Sequence, residues 1–322
     1  FQKLKINLFP ERNNVYLLEG RNELNIYYLK NSDTAAVMFV VSGVGGTGGG
    51  PVAESLMEQA YEAGYNVVSL PNPISWLFVL GVSSSGISGE LSEDIADLYK
   101  LMKIIVTALS EKGLQSHAYA LLGYSQGAAI LPALDVYDSQ QSEAFGFSKI
   151  IMLNPPYDFK RGIHKLDVYY EQANNWSKEY KDGTMGYLYS FAEKLMRVNS
   201  NPIQLLGQFS LTKKQQEFII GQNYRETLGD ILFTQEVLLG RKYLTSPLSW
   251  GERSARYSEA RSFTFEHYIQ SVLLPYLQTE RDTFQDIDSI YGQYDFKNFS
   301  QHMIKSKKYF LPSSNLIGIV QM

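Results

Sequence analysis

The sequence predicts an α/β protein: a mostly parallel sheet with helices on both faces and a large helical insertion ahead of its last strand. Three observations carry this expectation. Runs of strand length and largely apolar character, Ala35–Val41, Asn66–Leu70, Ala118–Leu122 and Lys149–Leu153, are separated by helical patterns, the order that builds a parallel sheet from strand–helix–strand units. Glycine clusters stand where a strand would hand over to a helix, at Gly43–Gly50 and Gly123–Gly127. From about 159 to 295 the β-branched runs vanish, and helical patterns rich in Tyr, Phe, Leu, Gln and Glu replace them.

Composition sets the outer limits. A chain of 322 residues, 44% hydrophobic and 19% charged, buries a sizeable core. A formal net charge of −4 gives no broad basic surface, so no nucleic-acid partner is expected. The 23 Tyr and 17 Phe favour apolar pockets or interfaces. There is no cysteine, which excludes disulfides, thiolate chemistry and Cys-based zinc sites. No metal and no cofactor is expected. No stretch approaches the apolar length a bilayer requires, so no transmembrane segment is expected either.

Taken in order, residues 15–30 alternate loosely. Val15, Leu17, Leu18, Leu24, Ile26 and Tyr28 are apolar around Glu19–Asn22, which predicts a two-stranded hairpin. Ala35–Val41 is a strand buried on both faces. It runs into Ser42–Gly50, and Pro51 opens a helix to about Ala63, proline being suited to the first helical position. Gly64 ends that helix and Asn66–Leu70 is the next strand. Residues 71–89 form a long connection whose apolar cluster, Trp76–Leu80, either walls a pocket or packs on the core. A helix over 90–112 follows, with Ser88 as its cap. Glu90, Glu93 and Asp94 lie in its first turn, where negative charge suits the helix dipole.

The strand Ala118–Leu122, a small-residue helix Ala128–Leu134 and the strand Lys149–Leu153 come next, the last ending at Asn154-Pro155-Pro156. In the helical stretch the clearest patterns are Tyr187–Val198, Lys213–Gly221, Thr227–Leu239 and Phe263–Leu277. A helix near 296–308 and the strand Asn315–Val320 return to the sheet. The chain is thus expected to divide into a core over residues 1–158, a helical cap over 159–295 and a return to the core over 296–322.

Gly123-Tyr124-Ser125-Gln126-Gly127 lies between a strand and a helix. A serine on so sharp a turn needs neighbours without side chains, because the two backbones nearly touch there. Ser125 is therefore the candidate nucleophile. The oxyanion formed on its attack would be held by two backbone N–H groups, that of Gln126 and that of Val44 in the loop after Ala35–Val41. Gly43, Gly45, Tyr124 and Trp76 are expected to line the substrate pocket. The loop Gly43-Val44-Gly45-Gly46-Thr47-Gly48 also matches G-x-G-x-x-G, so an oxyanion loop, a dinucleotide loop and a plain flexible turn all stay open. The dinucleotide reading lacks an acid for the ribose, since the next strand ends in Leu70-Pro71-Asn72-Pro73. No Lys-Ser/Thr follows the glycines, which excludes a P-loop.

A serine of this kind needs a histidine to take its proton and a carboxylate to orient that histidine. His117 precedes the elbow strand at its far end, His164 opens the insertion, His267 sits beside Glu266, and His302 has lysines nearby. None has the position of a base, and the triad histidine is expected beyond Met322. Asp158, after the strand that follows the elbow, is either a triad acid or a turn residue following Pro155-Pro156-Tyr157.

The run Val40–Leu153 resembles bacterial α/β-hydrolases of the esterase and lipase kind, in particular a group with a large helical cap. Ser42–Gly46, Ser85–Gly89 ahead of Glu93–Tyr99, Gly123–Gly127 and Asn154–Pro156 carry the resemblance. It covers the core, and the cap only in general pattern. It implies a serine hydrolase that cleaves a small-molecule or lipid ester with an apolar acyl group through an acyl-enzyme on Ser125. In that group the closing strand is followed by an Asp-containing loop and a Gly-Gly-His segment, and neither is in this sequence. Many members of the group are exported, so the resemblance, with a chain starting at Phe1 and not at Met, leaves an exported protein as one expectation for its localisation. Two other functions stay open: a non-catalytic binding protein of the same fold, and a dinucleotide-dependent enzyme using Gly43–Gly48.

Overall fold

The computed structural model describes residues 1–197, 210–281, 286–306 and 308–310. Within them the strands β1 (Gln2–Ile6), β2 (Leu24–Leu29), β3 (Val37–Val41), β4 (Asn66–Leu70), β5 (Tyr119–Tyr124), β6 (Lys149–Leu153) and β7 (Tyr309–Phe310) form one sheet, in the order β1-β2-β4-β3-β5-β6-β7. β1 pairs antiparallel with β2, and β2 antiparallel with β4. Every other neighbouring pair is parallel. This is the mostly parallel sheet that the sequence predicts.

All residues of β3 and β4 are buried, and the period of two sorts their side chains. Val37, Phe39 and Val41 enter one core with Leu98, Met102 and Leu121. Met38 and Val40 enter a second on the other face with Met57 and Ala60 of helix α1 (Pro51–Glu62). Each fully buried Val, Leu, Phe or Met among them contributes about 1.5–3 kcal/mol.

The N-terminal region departs from the expected hairpin. Residues 15–18 form a turn in which Leu18 N–H donates to Val15 O, and Leu17 adopts φ 68. Leu17 and Leu18 are buried against the helical region, so their apolar character reflects docking and not strand pairing. The partner of β2 is β1, where exposed Lys3 and Lys5 alternate with buried Leu4 and Ile6.

Helix α2 (Trp76–Gly81) interrupts the long connection after β4, capped by Ser75 Oγ. Helix α3 runs Leu91–Ser110, and its cap is Glu90 instead of Ser88. The Glu90 carboxylate accepts from Ser92 N–H (3.3 Å) and Glu93 N–H (2.7 Å), while Ser88 Oγ donates to Pro73 O (2.9 Å). Helices α4 (Gln126–Ala129) and α5 (Leu131–Ser139) follow the elbow.

Between β6 and β7 the described chain is helical: α6 (Phe159–Glu171), α7 (Lys178–Arg197), α8 (Lys213–Leu239), α9 (Arg253–Ala260), and then Phe265–Arg281, in which α-helical turns alternate with π-helical ones. The two patterns Lys213–Gly221 and Thr227–Leu239 are one continuous helix. Gly221 does not break it, because its bare Cα lets α6 approach: a Cβ there would stand 2.3 Å from Tyr170 N. A short helix, α10 (Ile287–Gly292), and then α11 (Ser300–Ser306) lead to β7. The expected strand Asn315–Val320 lies outside the described residues.

Candidate active site

β5 ends at Tyr124 and α4 begins at Gln126, so Ser125 makes the turn alone. It does so at φ 54, ψ −132, a conformation that costs a non-glycine residue about 1–3 kcal/mol and persists only where its surroundings enforce it. Ser125 N–H donates to Leu153 O (2.9 Å), and Ala128 and Ala129 N–H donate to Ser125 O (3.0 and 3.2 Å). The flanking glycines are steric necessities. A Cβ on Gly127 would stand 2.1 Å from Ser42 O, and one on Gly123 would stand 2.7 Å from Gly127 O.

The glycine loop after β3 is braced against this elbow. Gly45 N–H donates to Ile74 O (2.7 Å), Gly46 N–H to Gly43 O (2.9 Å), and Asn72 N–H to Gly46 O (2.8 Å). Buried Asn72 sends its Nδ2 to Ser42 O and to Gln126 Oε1, both at 2.6 Å, tying the root of the loop to the residue after Ser125. An asparagine between two prolines at the end of a buried strand is the one sequence signal for this brace. Val44 and Gln126 N–H donate to no other group among the described residues. With two loop amides already used inside the protein, and the Glu54 carboxylate accepting from Gly50 N–H (3.3 Å) where α1 begins, the loop offers a pyrophosphate little of what a dinucleotide site needs.

Ser125, Val44 and Gln126 line one cavity of about 590 Å³, a size typical of small-molecule sites. Its opposite wall comes from the helical region: Ile163 and Leu166 of α6, Tyr224, Leu228 and Ile231 of α8, and Phe265, Tyr268 and Leu273 beyond. Of the other expected pocket residues, Gly43, Gly45, Tyr124 and Trp76 lie outside this lining. Gly43 instead makes room for Tyr124, whose ring would meet a Cβ at 3.0 Å, and Gly45, at φ 77, makes room for Thr227 of α8 (2.8 Å). Trp76 packs into the helical core with Leu80, so the cluster 76–80 packs on the core and does not wall the pocket.

Tyr224 is the unforeseen member of the site. Its phenol shares the cavity with Ser125 and is close enough to feel it. Burial pushes the phenol up from its ordinary value, although nearby Ser125 pulls the other way. Tyr224 therefore stays protonated at neutral pH and is a hydrogen-bond donor. Only its place on a long helix, far along the chain, brings it here, and no local motif marks it.

The candidate acid caps a helix at the cavity, and the histidines lie elsewhere. Asp158 lies at the cavity edge, where its Oδ1 accepts from Arg161 N–H (2.8 Å) as the cap of α6. No described histidine lines the cavity. His117 and His164 are exposed, and exposed His267 stacks on Phe263 at 4.3 Å. His302 Nε2 bonds to Asp135 Oδ2 (2.6 Å), which also accepts from Tyr309 OH (2.7 Å), fastening α11 and β7 to α5. Among the described residues no cluster of His, Asp and Glu suits a metal ion. No described helix is long and apolar enough to cross a membrane.

Beneath the cavity, Tyr268 OH donates to Ser88 O (2.8 Å) and Gly89 N–H donates to Asp94 Oδ2 (3.0 Å). Burial, assisted by nearby Glu90, Asp97 and Glu93, pushes the Asp94 carboxyl well above the ordinary range. The folded state thus keeps a proton that the unfolded chain has released above about pH 4. The stability tied to this proton is full below the unfolded value and is lost as pH rises toward the folded one. Asp94→Asn, which keeps an acceptor for Gly89 N–H, is expected to melt above the parent protein. The gap should widen between pH 5 and 9 and reach about 2 °C or more, which thermal melts across that range would check. A constant or shrinking gap would contradict the assignment.

No protein-family model matches the sequence, and no curated protein is similar to it. Solved structures are similar to it at low identity. A structure from work on carboxylesterases of Nitrososphaera gargenis is 11% identical over 91% of this chain and 86% of that one, at a TM-score of 0.36. A Pyrococcus furiosus esterase is 14% identical over 92% and 90%, at 0.34. A proline iminopeptidase-related protein from Thermus thermophilus is 19% identical over 53% of this chain, at 0.30. The chain spans about half the length of the last, 51%, and of ESTFA, 49%. Likenesses this weak carry no functional argument, so what the site does follows from its own geometry.

Proposed function

We propose that the protein is a serine hydrolase that cleaves a carboxylic ester with an apolar acyl group. One observation carries the reading: Ser125, on a strained strand–helix turn, faces a largely apolar cavity beside two N–H groups with no other partner among the described residues. Ser125 Oγ attacks the ester carbonyl, Val44 and Gln126 N–H hold the oxyanion, the alcohol leaves, and water hydrolyses the acyl-enzyme. The helical region acts as a cap whose apolar wall takes the acyl chain. The Ser125 proton has to pass to a base, and none of the four histidines lines the cavity to take it. p-Nitrophenyl esters of graded acyl length test this. A burst of one equivalent of nitrophenol, with kcat/KM rising with chain length, is expected, and no turnover of any ester by the full-length folded protein would sink the proposal.

Tyr224 is assigned a donor role. It stands beside Ser125 in the cavity and donates to an oxygen of the bound ester. Tyr224→Phe is expected to lower kcat/KM by roughly tenfold, the value of one hydrogen bond of about 1.4 kcal/mol. Labelling of Ser125 by a fluorophosphonate should persist. A change below about twofold would remove Tyr224 from the mechanism.

The absence of a described imidazole at the cavity favours a second reading, a non-catalytic binding protein that uses the same cavity. Ligand binding together with complete inertness toward esters and serine-directed probes would select it.

A further inference from the structure

We infer that the cavity takes amphiphiles whose polar end is an anion, a carboxylate or a phosphate, held by Arg161 and Lys165 while the apolar chain lies inside. This rests on the reading of the cavity as the substrate site and deepens it. Both residues line the cavity, one turn apart on α6, so both charges sit on one side of it. Neither side chain has an ion-pair partner among the described residues, whereas neighbouring Lys160 is paired with Asp288. Lys165 Nζ is 5.6 Å from the centre of the Tyr169 ring. Among the described residues the one carboxylate in the lining, Asp158, accepts the N–H of Arg161 as a helix cap. In a chain with a net charge of −4, two cations with no ion-pair partner among the described residues, bordering a largely apolar wall, form a local site for negative charge. Arginine in particular matches the planar fork of a carboxylate or phosphate.

The test measures binding to the full-length Ser125→Ala protein at low salt, using decanoate, decyl phosphate, monodecanoylglycerol and decyltrimethylammonium. The anions are expected to bind about tenfold more tightly than the neutral glyceride, and the cation more weakly. Decanoate against decyl phosphate separates the two anion classes. In Arg161→Gln/Lys165→Gln on the same background the anion preference should fall to within twofold, with glyceride binding unchanged, and high salt should do the same. Equal affinity for all head groups, or a preference that survives the double substitution, overturns the inference. An anion preference in a protein that turns over no ester would sink the hydrolase reading and leave this site standing. Ester turnover without an anion preference would do the reverse.

Discussion

Ser125→Ala is expected to reduce ester hydrolysis by roughly 10⁴-fold or more, while leaving the fold and the binding of apolar ligands intact. The size follows from the site's economy of parts. Two backbone N–H groups and an apolar cavity can bind and polarise an ester, but they supply no atom to attack it. Alanine removes only the Oγ, and the turn geometry is set by contacts that do not involve it: the backbone bonds to Leu153, Ala128 and Ala129, and the glycines on either side. Melting temperature and chain-length-dependent binding should stay near the parent values. Retention of more than a few per cent of activity would place the nucleophile elsewhere.

Gly127→Ala is expected to be the most damaging single-atom change in the core, destabilising the protein by about 3 kcal/mol or more in denaturant titrations. The added carbon would lie 2.1 Å from Ser42 O and 2.6 Å from Val41 O, and both are backbone atoms in a fully buried strand and its exit. No flexible side chain can yield there, so α4 must move away from β3. That shift would also carry Gln126 N–H away from Val44 and loosen the Asn72 brace. Activity is therefore expected to fall even under conditions where the variant remains folded. Gly20→Ala is a useful contrast, since nothing lies within 4 Å of a Cβ there. Its cost should be confined to the backbone strain of φ 67.

The parts of the fold legible in the sequence are those fixed by short-range physics. β3 and β4 are unbroken apolar runs because they are buried on both faces, and the elbow announces itself because only glycine fits at positions 123 and 127. What escaped was decided by partners distant in the chain. Leu17 and Leu18 mimic a strand but are buried against the helical region. Gly221 mimics a helix end but marks the approach of α6. Ser88 has the right side chain for a cap, yet Pro73 takes its hydroxyl and leaves the capping to Glu90. In the same way the meeting of Tyr224 and Ser125 in one cavity, and the wall of that cavity, depend on how α6 and α8 pack over the sheet, which no local pattern encodes. The most chemically informative residues outside the elbow are therefore the least visible ones.

Reaction of the full-length protein with a fluorophosphonate, followed by mass mapping of the adduct, tests the central claim most directly. A single stoichiometric adduct on Ser125, absent in Ser125→Ala and slowed by a competing apolar ester, is the expected result. A folded protein that stays unlabelled at Ser125, or is labelled on another residue, would contradict it.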